Sequence, residues 1–122
     1  MAGGANMSVV AVHMVLTYAP PEWSSGMRLV AIAIGERIND KAGPTTWCSV
    51  RDIAERTGLE TRTVRRYTAA LIEAGVINRE QRPGDRLPNR TNLWTWVWKV
   101  RGQPEVGRPY TATHRPPTSG TY

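Results

Sequence analysis

A short segment of the chain, residues 61–66, combines three arginines with two threonines. A guanidinium can donate two parallel hydrogen bonds to O6 and N7 of guanine in the major groove of DNA, and a threonine hydroxyl suits a phosphate oxygen. No acidic residue interrupts the segment. Its side chains are therefore predicted to face a polyanion, and the alternative is an ordinary solvated helix face. The candidate binding residues are Thr61, Arg62, Thr63, Arg65 and Arg66.

A second basic group lies in a segment rich in turn residues. Arg82, Arg86 and Arg90 alternate with Pro83-Gly84-Asp85 and Pro88-Asn89, which are residues that favour turns. An arginine at a hairpin tip can enter a minor groove or follow the DNA backbone. We predict this role first for Arg86, nearest the tip, with Arg82 and Arg90 beside it; a solvated loop is the alternative.

The basic charge of the chain is unevenly distributed. The formal net charge is +6, and residues 49–101 contain eleven Lys or Arg against six Asp or Glu. Residues 1–48 contain three of each. This asymmetry favours a polyanionic partner over a merely soluble basic surface.

Two helices are needed to position the arginine-rich segment. Ser49 and Asp52 match a capping box that begins a short helix, and Gly58 suits its end because glycine adopts a positive φ at no steric cost. The next helix is predicted over about residues 61–74. Two helices joined by so short a turn need a small residue at their closest approach and apolar anchors facing inward. The structural residues of this motif are Ala54, Gly58 and Val64, with Thr68 and Leu71 on the same inward stripe as Val64.

The segment from Ser49 to Ile77 resembles the winged form of the helix-turn-helix motif found in bacterial and phage DNA-binding proteins. The resemblance rests on the spacing of Ala54, Gly58 and Val64 and on Gly75, which ends the second helix before a predicted hairpin. It implies sequence-specific binding of double-stranded DNA, most simply by a regulator of transcription. The second helix would lie in the major groove and the hairpin, or wing, on the minor groove or backbone.

One position departs from the family pattern. Glu60 stands where the family usually has serine or another good cap, and glutamate caps poorly although its charge suits a helix N-terminus. If Glu60 is the cap, Arg62 and Arg65 are the expected base contacts. If Thr61 is the cap instead, Arg62 and Arg66 are expected.

The resemblance also bears on partners. Winged proteins of this kind often pair through N-terminal helices, and the apolar run Val9 to Leu16 suits a homodimer. The chain is also similar to the N-terminal domain of phage or plasmid replication initiators, so origin binding is an alternative function. A winged protein-interaction module is a second alternative. The DNA target and any small-molecule effector stay open.

The expected fold is mostly α with a small two-stranded β-wing. Residues 1–7 are expected to be disordered, residues 8–101 to form the winged domain, and residues 102–122, rich in Pro, Gly and Thr, to form a flexible tail. Helices are predicted over Val9–Tyr18 and about residues 26–39, and wing strands over residues 76–81 and 91–100. Trp94, Trp96, Trp98 and Val100 then share one buried face, with Trp23 and Trp47 at the core edges; this packing is favoured over base stacking.

No motif for catalysis is present. His13, Cys48 and His114 lack metal-ligand spacing, and the chain has no phosphate-binding glycine loop or nucleophile motif. We therefore expect no enzyme activity, no metal and no cofactor. A single cysteine favours a reducing compartment, and the short apolar run near the N-terminus is less than a membrane span, so a cytoplasmic protein is expected.

Overall fold

The computed structural model describes residues 8–38, 43–81 and 91–107. Four helices and three strands follow one another in the order that the winged arrangement predicts. They are α1 (Val9–Tyr18), α2 (Ser25–Glu36), β1 (Thr45–Cys48), α3 (Val50–Thr57), α4 (Thr61–Glu73), β2 (Ile77–Gln81) and β3 (Asn92–Trp96).

Local capping sets most of the helix ends. The Ser8 side chain accepts a hydrogen bond from the Ala11 amide at the start of α1. At α3, Ser49 and Asp52 exchange hydrogen bonds of 3.0 Å in both directions, which satisfies two amides that the helix itself leaves unpaired. Gly58 ends α3 at φ 78°, in the left-handed region. The predicted limits of α1, α3 and α4 are confirmed to within one residue.

The second helix is shorter than predicted. It ends at Glu36 rather than near residue 39. The amides of Arg37 and Ile38 donate to the carbonyls of Ile34 and Gly35, three residues back in each case. This tighter pattern closes the last turn and ends the α-helical ladder.

The sheet has three antiparallel strands in the order β1-β3-β2, not the two predicted for the wing. β1 pairs with β3, with Trp47 opposite Leu93, and β2 pairs with β3, with Ile77 opposite Trp96. The prediction that β3 continues to residue 100 is wrong. The amides of Val97 and Trp98 both donate to the Val76 carbonyl, at 2.9 and 3.1 Å, so the chain leaves the ladder after Trp96.

The tryptophans build the core, as predicted, with one exception. Trp94 is fully buried and donates from its indole nitrogen to the Cys48 carbonyl at 2.9 Å, and Trp96 is also buried. Trp98 is half-buried, with its ring centroid 5.4 Å from that of Trp23. Trp47 does not pack at the edge of the core. Side chains alternate between the two faces of β1, so Trp47 lies on the face of the sheet opposite to the core, where it is 43% exposed.

The packed chain extends past residue 101, where the sequence analysis places the domain end. Val106 is buried, and a Cβ added at Gly107 would fall onto the backbone of Pro44, so the C-terminal segment runs closely against the chain that precedes β1. The segments 1–7 and 108–122, for which disorder was predicted, lie outside the described residues. No helix among the described residues has the length and apolar character needed to cross a membrane.

Candidate nucleic-acid interface

The inward stripe of α4 fixes which of its side chains face outward. Val64, Thr68 and Leu71 are fully buried, and this stripe packs α4 against α2 and α3. Ala54 is buried in α3, and its carbonyl accepts from the Gly58 amide at 2.8 Å. The three residues predicted to shape the helix-turn-helix occupy the positions expected of them.

The start of α4 shows whether Glu60 or Thr61 occupies the cap position. Glu60 occupies the cap position, with an extended backbone and no side-chain cap hydrogen bond, and Thr61 is the first helical residue. The carboxylate of Glu60 acts at the helix N-terminus only through its charge. The helix start is therefore not shifted by one residue. The contacts of Arg62 and Arg65 with bases stay a prediction.

The outward face of α4 is polar and basic. Thr61, Arg62, Arg65 and Arg66 are exposed, and Thr63 is partly buried. None of the ion pairs found among the described residues involves Arg62, Arg65 or Arg66. At about 100° per residue, Arg62 and Arg66 lie closest to the middle of the face opposite the buried stripe, and Arg65 lies toward the flank away from Tyr67.

Arg66 differs from the other two arginines because it has an intramolecular partner. Its guanidinium carbon lies 5.3 Å from the centroid of the Tyr67 ring. The Tyr67 ring in turn covers Gly26, where a Cβ would approach the ring to 2.6 Å. A hydrogen bond with the Ser24 side chain, and then one with Arg66, lowers the pKa of Tyr67. This contact between α4 and the start of α2 was not predicted from the sequence.

Two further contacts, which were not predicted from the sequence, stabilise α2, the helix on which the helix-turn-helix packs. Arg56 of α3 forms an ion pair of 2.5 Å with Glu36 at the end of α2. Arg28 donates to the carbonyls of Pro20 and Trp23 and so fixes the turn before α2. These arginines have structural partners, which removes them from the candidates for ligand binding.

The concave side of the turn between α3 and α4 is less suited to a polyanion. It forms an open groove whose lining includes Glu55 and Glu60 as well as Arg51 and Arg62. Arg51 is engaged by Glu55 at 3.7 Å. The mixed charge there contrasts with the N-terminal part of the outward face of α4, where Arg62, Arg65 and Arg66 are the exposed charges and the first acid, Glu73, comes only at the helix end. This basic part of the face is therefore the better candidate for contact with phosphates.

The wing is described only at its base. On β2, Arg79 and Glu80 are both exposed. Arg82, Arg86 and Arg90, the predicted wing contacts, lie outside the described residues. Their contact with DNA stays a prediction.

The described residues offer little to catalysis. Burial raises the pKa of the Cys48 thiol to about 11, so the thiol is protonated near neutral pH and is a poor nucleophile. No group of three or more His, Cys, Asp or Glu side chains among the described residues is placed to hold a metal ion.

Together these features define a class of protein. Two helices joined at a left-handed glycine, with the second leading directly into an antiparallel hairpin that a third strand extends, form a winged helix-turn-helix fold. Comparison with family models agrees: residues 48–78 match the family described as winged helix-turn-helix DNA-binding. The match supports DNA binding, in a family that is typically non-enzymatic. Neither curated proteins nor solved structures give a significant match.

Proposed function

We propose that the chain binds double-stranded DNA in a sequence-specific manner and regulates transcription. The observation that carries this proposal is the outward face of α4, where three exposed arginines form no ion pair with any described acidic residue. Three exposed arginines grouped on one face create a positive surface potential that attracts an anionic partner. A helix about 10–12 Å in diameter fits a major groove about 12 Å wide.

The contacts divide according to position on the helix. Arg62 and Arg65 stand in the first turn and a half of α4, where helix-turn-helix proteins contact bases, and each can form a bidentate pair with guanine. Thr61, exposed at the helix start, suits a phosphate better than the partly buried Thr63. The wing arginines Arg82, Arg86 and Arg90 are proposed for the minor groove or the backbone.

A homodimer is the second part of the proposal. α1 has no charged residue, and although Met14 and Val15 are buried on one side, Val9 and Leu16 on the other are 67% and 68% exposed. These two residues are seven positions apart and share a face, so they form an apolar seam. His13 is also exposed on this side of the helix, where it is hydrogen-bonded to Thr17, so the seam is mainly but not wholly apolar. A second copy of α1, packed on the seam, would cover it, and the dimer would bind two half-sites about one helical turn apart.

The cellular setting follows as part of the same proposal. Transcription takes place in the cytoplasm of a bacterial host, and a buried free thiol such as that of Cys48 suits a reducing compartment. Origin binding would use the same α4 face, and the chain offers no observation that favours it over regulation.

The decisive experiment is selection of bound sequences from a random duplex pool at a stated salt concentration, followed by a salt titration of the best sequence. We expect a related pair of half-sites and an affinity whose logarithm falls linearly with the logarithm of salt concentration, by about 0.9 for each phosphate contacted. Recovery of random sequences would exclude specific recognition. An affinity that hardly changes between 50 and 200 mM salt, roughly the range in which such contacts weaken, would exclude the electrostatic part.

A further inference from the structure

Arg66 and Tyr67 are neighbours in sequence on α4, and their contact is not one that the helix itself produces. Side chains at adjacent helix positions point about 100° apart and do not normally face each other. The Arg66 side chain must therefore turn from the outward face toward Tyr67 to bring its guanidinium 5.3 Å from the ring centroid. The preferred position of Arg66 is thus at the edge of the interface, on the side that approaches α2.

Tyr67 is itself fixed in place. Its ring lies on Gly26, where no side chain intervenes, and a Cβ at this position would come within 2.6 Å of Cε2 and 3.1 Å of the phenolic oxygen. The Ser24 side chain interacts with the same phenol. Glycine in the first turn of α2 therefore lets the ring dock against the helix, and the docked ring provides a rigid surface for the guanidinium.

We infer that Tyr67 is a positioning residue that holds Arg66 beside the start of α2 and commits it to a DNA phosphate, while Arg62 and Arg65 are left to contact bases. The inference rests on the proposed DNA-binding function and refines it. A guanidinium held against an aromatic face keeps its outer N–H groups available to an anion and loses little freedom on binding. Phosphate contact carries no base preference, so Arg66 contributes affinity and salt dependence but no sequence specificity.

A double-substitution cycle on the full chain tests the inference. Arg66→Ala, Tyr67→Leu and the double variant are compared for binding to the selected site and to random duplex. We expect Arg66→Ala to weaken binding to both DNAs by the same factor and to reduce the salt slope by about 1. In the Tyr67→Leu background the effect of Arg66→Ala should shrink about two- to fivefold, the range expected for an exposed cation–π contact.

Matched variants separate positioning from a general loss of structure. Arg65→Ala combined with Tyr67→Leu should give additive losses, because Arg65 lies on the other flank of the helix. Tyr67→Phe keeps the ring on Gly26 but removes the phenol that hydrogen-bonds with Ser24 and Arg66, so it should keep only the part of the coupling to Arg66 that comes from the ring. In the unsubstituted protein without DNA, the Arg66 δ-proton resonances should be displaced upfield relative to those of Arg62 and Arg65 by the aromatic ring. This last measurement needs no variant and is independent of the folding of Tyr67→Leu.

The outcomes are distinguishable. Additive losses for Arg66→Ala and Tyr67→Leu, an Arg66→Ala variant with altered base preference, or Arg66 resonances without a ring-current displacement would each overturn the role of Tyr67. None of these would affect the proposed function, provided that the parent chain selects a sequence and Arg62→Ala relaxes it. If the parent chain selects no sequence, the proposed function fails, and the upfield displacement alone does not rescue the inference.

Discussion

The outward faces of α1 and α4 differ in their main side chains, which are apolar on α1, beside an exposed His13, and basic on α4, before an exposed Glu73. The face of α4 carries Arg62, Arg65 and Arg66, whereas the face of α1 carries Val9 and Leu16, each about two-thirds exposed. Both helices bury their other face in the same core. Burial alone explains the inner faces of both helices but neither of the outer ones.

The difference indicates two different partners. Exposed arginines remain hydrated and cost little in isolation, so their grouping needs an explanation from function, not from folding. Exposed valine and leucine cost about 25 cal/mol for each Å² of apolar surface left in water, and they gain that amount when covered. A polyanion is the expected partner of the α4 face, and an apolar surface is the expected partner of the α1 face. The two associations should be separable by substitution.

The largest effect is expected from Arg62→Ala combined with Arg65→Ala. Each bidentate arginine–guanine pair contributes about 1–3 kcal/mol of discrimination, so the double variant should lose from about 30-fold to about 10⁴-fold in affinity for the selected site. Fluorescence anisotropy with labelled duplex measures this loss. Sedimentation velocity should show an unchanged oligomeric state, since α1 is untouched.

Arg101→Ala provides a control for charge, because it removes one positive charge, half of what the double variant removes, from an exposed position outside the helix-turn-helix. We expect it to change affinity by far less. If Arg101→Ala is as damaging as the double variant, binding depends on net charge and not on the face of α4.

The next largest effect is expected from Leu16→Glu. In a symmetric dimer the substitution occurs twice, and the loss of about 1–2 kcal/mol of apolar burial on each side should weaken self-association by roughly 30- to 1,000-fold. Sedimentation equilibrium measures the dissociation constant, and binding to a single half-site should be unaffected. Leu29→Glu, which places the same charge at an exposed leucine of α2, is the control. A chain that is monomeric before any substitution would refute the seam as a dimer interface.

The sequence predicts the parts of the fold that depend on local chemistry. Ser8, Ser49, Gly58 and Gly75 mark helix ends through capping and positive φ, and each acts within a few residues. The pairing of β1 with β3 joins residues more than 40 positions apart and has no local signal. The early end of β3 is not predictable for another reason. The alternation of apolar residues continues through Trp98 and Val100, although the ladder of hydrogen bonds between the strands does not.

The candidate site is predictable to a similar extent. Periodicity places Arg62, Arg65 and Arg66 on the outward face of α4, because the inward stripe is strongly apolar. The difference between Arg66 and the other two arginines is not predictable, since the contact of Arg66 with Tyr67 depends on Gly26 lying opposite the ring. A glycine that permits a close approach between distant segments looks, in sequence, like any glycine at a helix start.

A smaller effect, on stability only, is expected from Ser49→Ala. Loss of the capping hydrogen bond to Asp52 should lower the free energy of unfolding by about 1 kcal/mol, measured by urea denaturation. The Ser49 amide and side chain lower the pKa of Asp52, so the carboxylate stabilises the fold above the unfolded-state pKa, and this contribution disappears as pH falls through the folded value. The difference between the two proteins should therefore shrink at strongly acidic pH. Because the cap belongs to neither outward face, a change in base preference or self-association at neutral pH would show that the two faces are not independent of the motif.

The smallest effect, and the most local one, is expected from Glu60→Gln. Glu60 stabilises α4 through its charge alone, so neutralisation should cost the free protein a few tenths of a kcal/mol. The same carboxylate lies one residue from Thr61 and repels phosphates within about 8–10 Å, one Debye length at moderate salt. Its neutralisation should therefore raise DNA affinity about two- to fivefold at low salt, since a single screened charge contributes under 1 kcal/mol. Glu73→Gln makes the same change at the other end of α4, about 20 Å away at 1.5 Å per residue, and should leave affinity nearly unchanged. Equal gains from the two variants would mean that α4 lies along the DNA instead of entering it by its N-terminal end, and Arg62 would then have no advantage over the arginines that follow it.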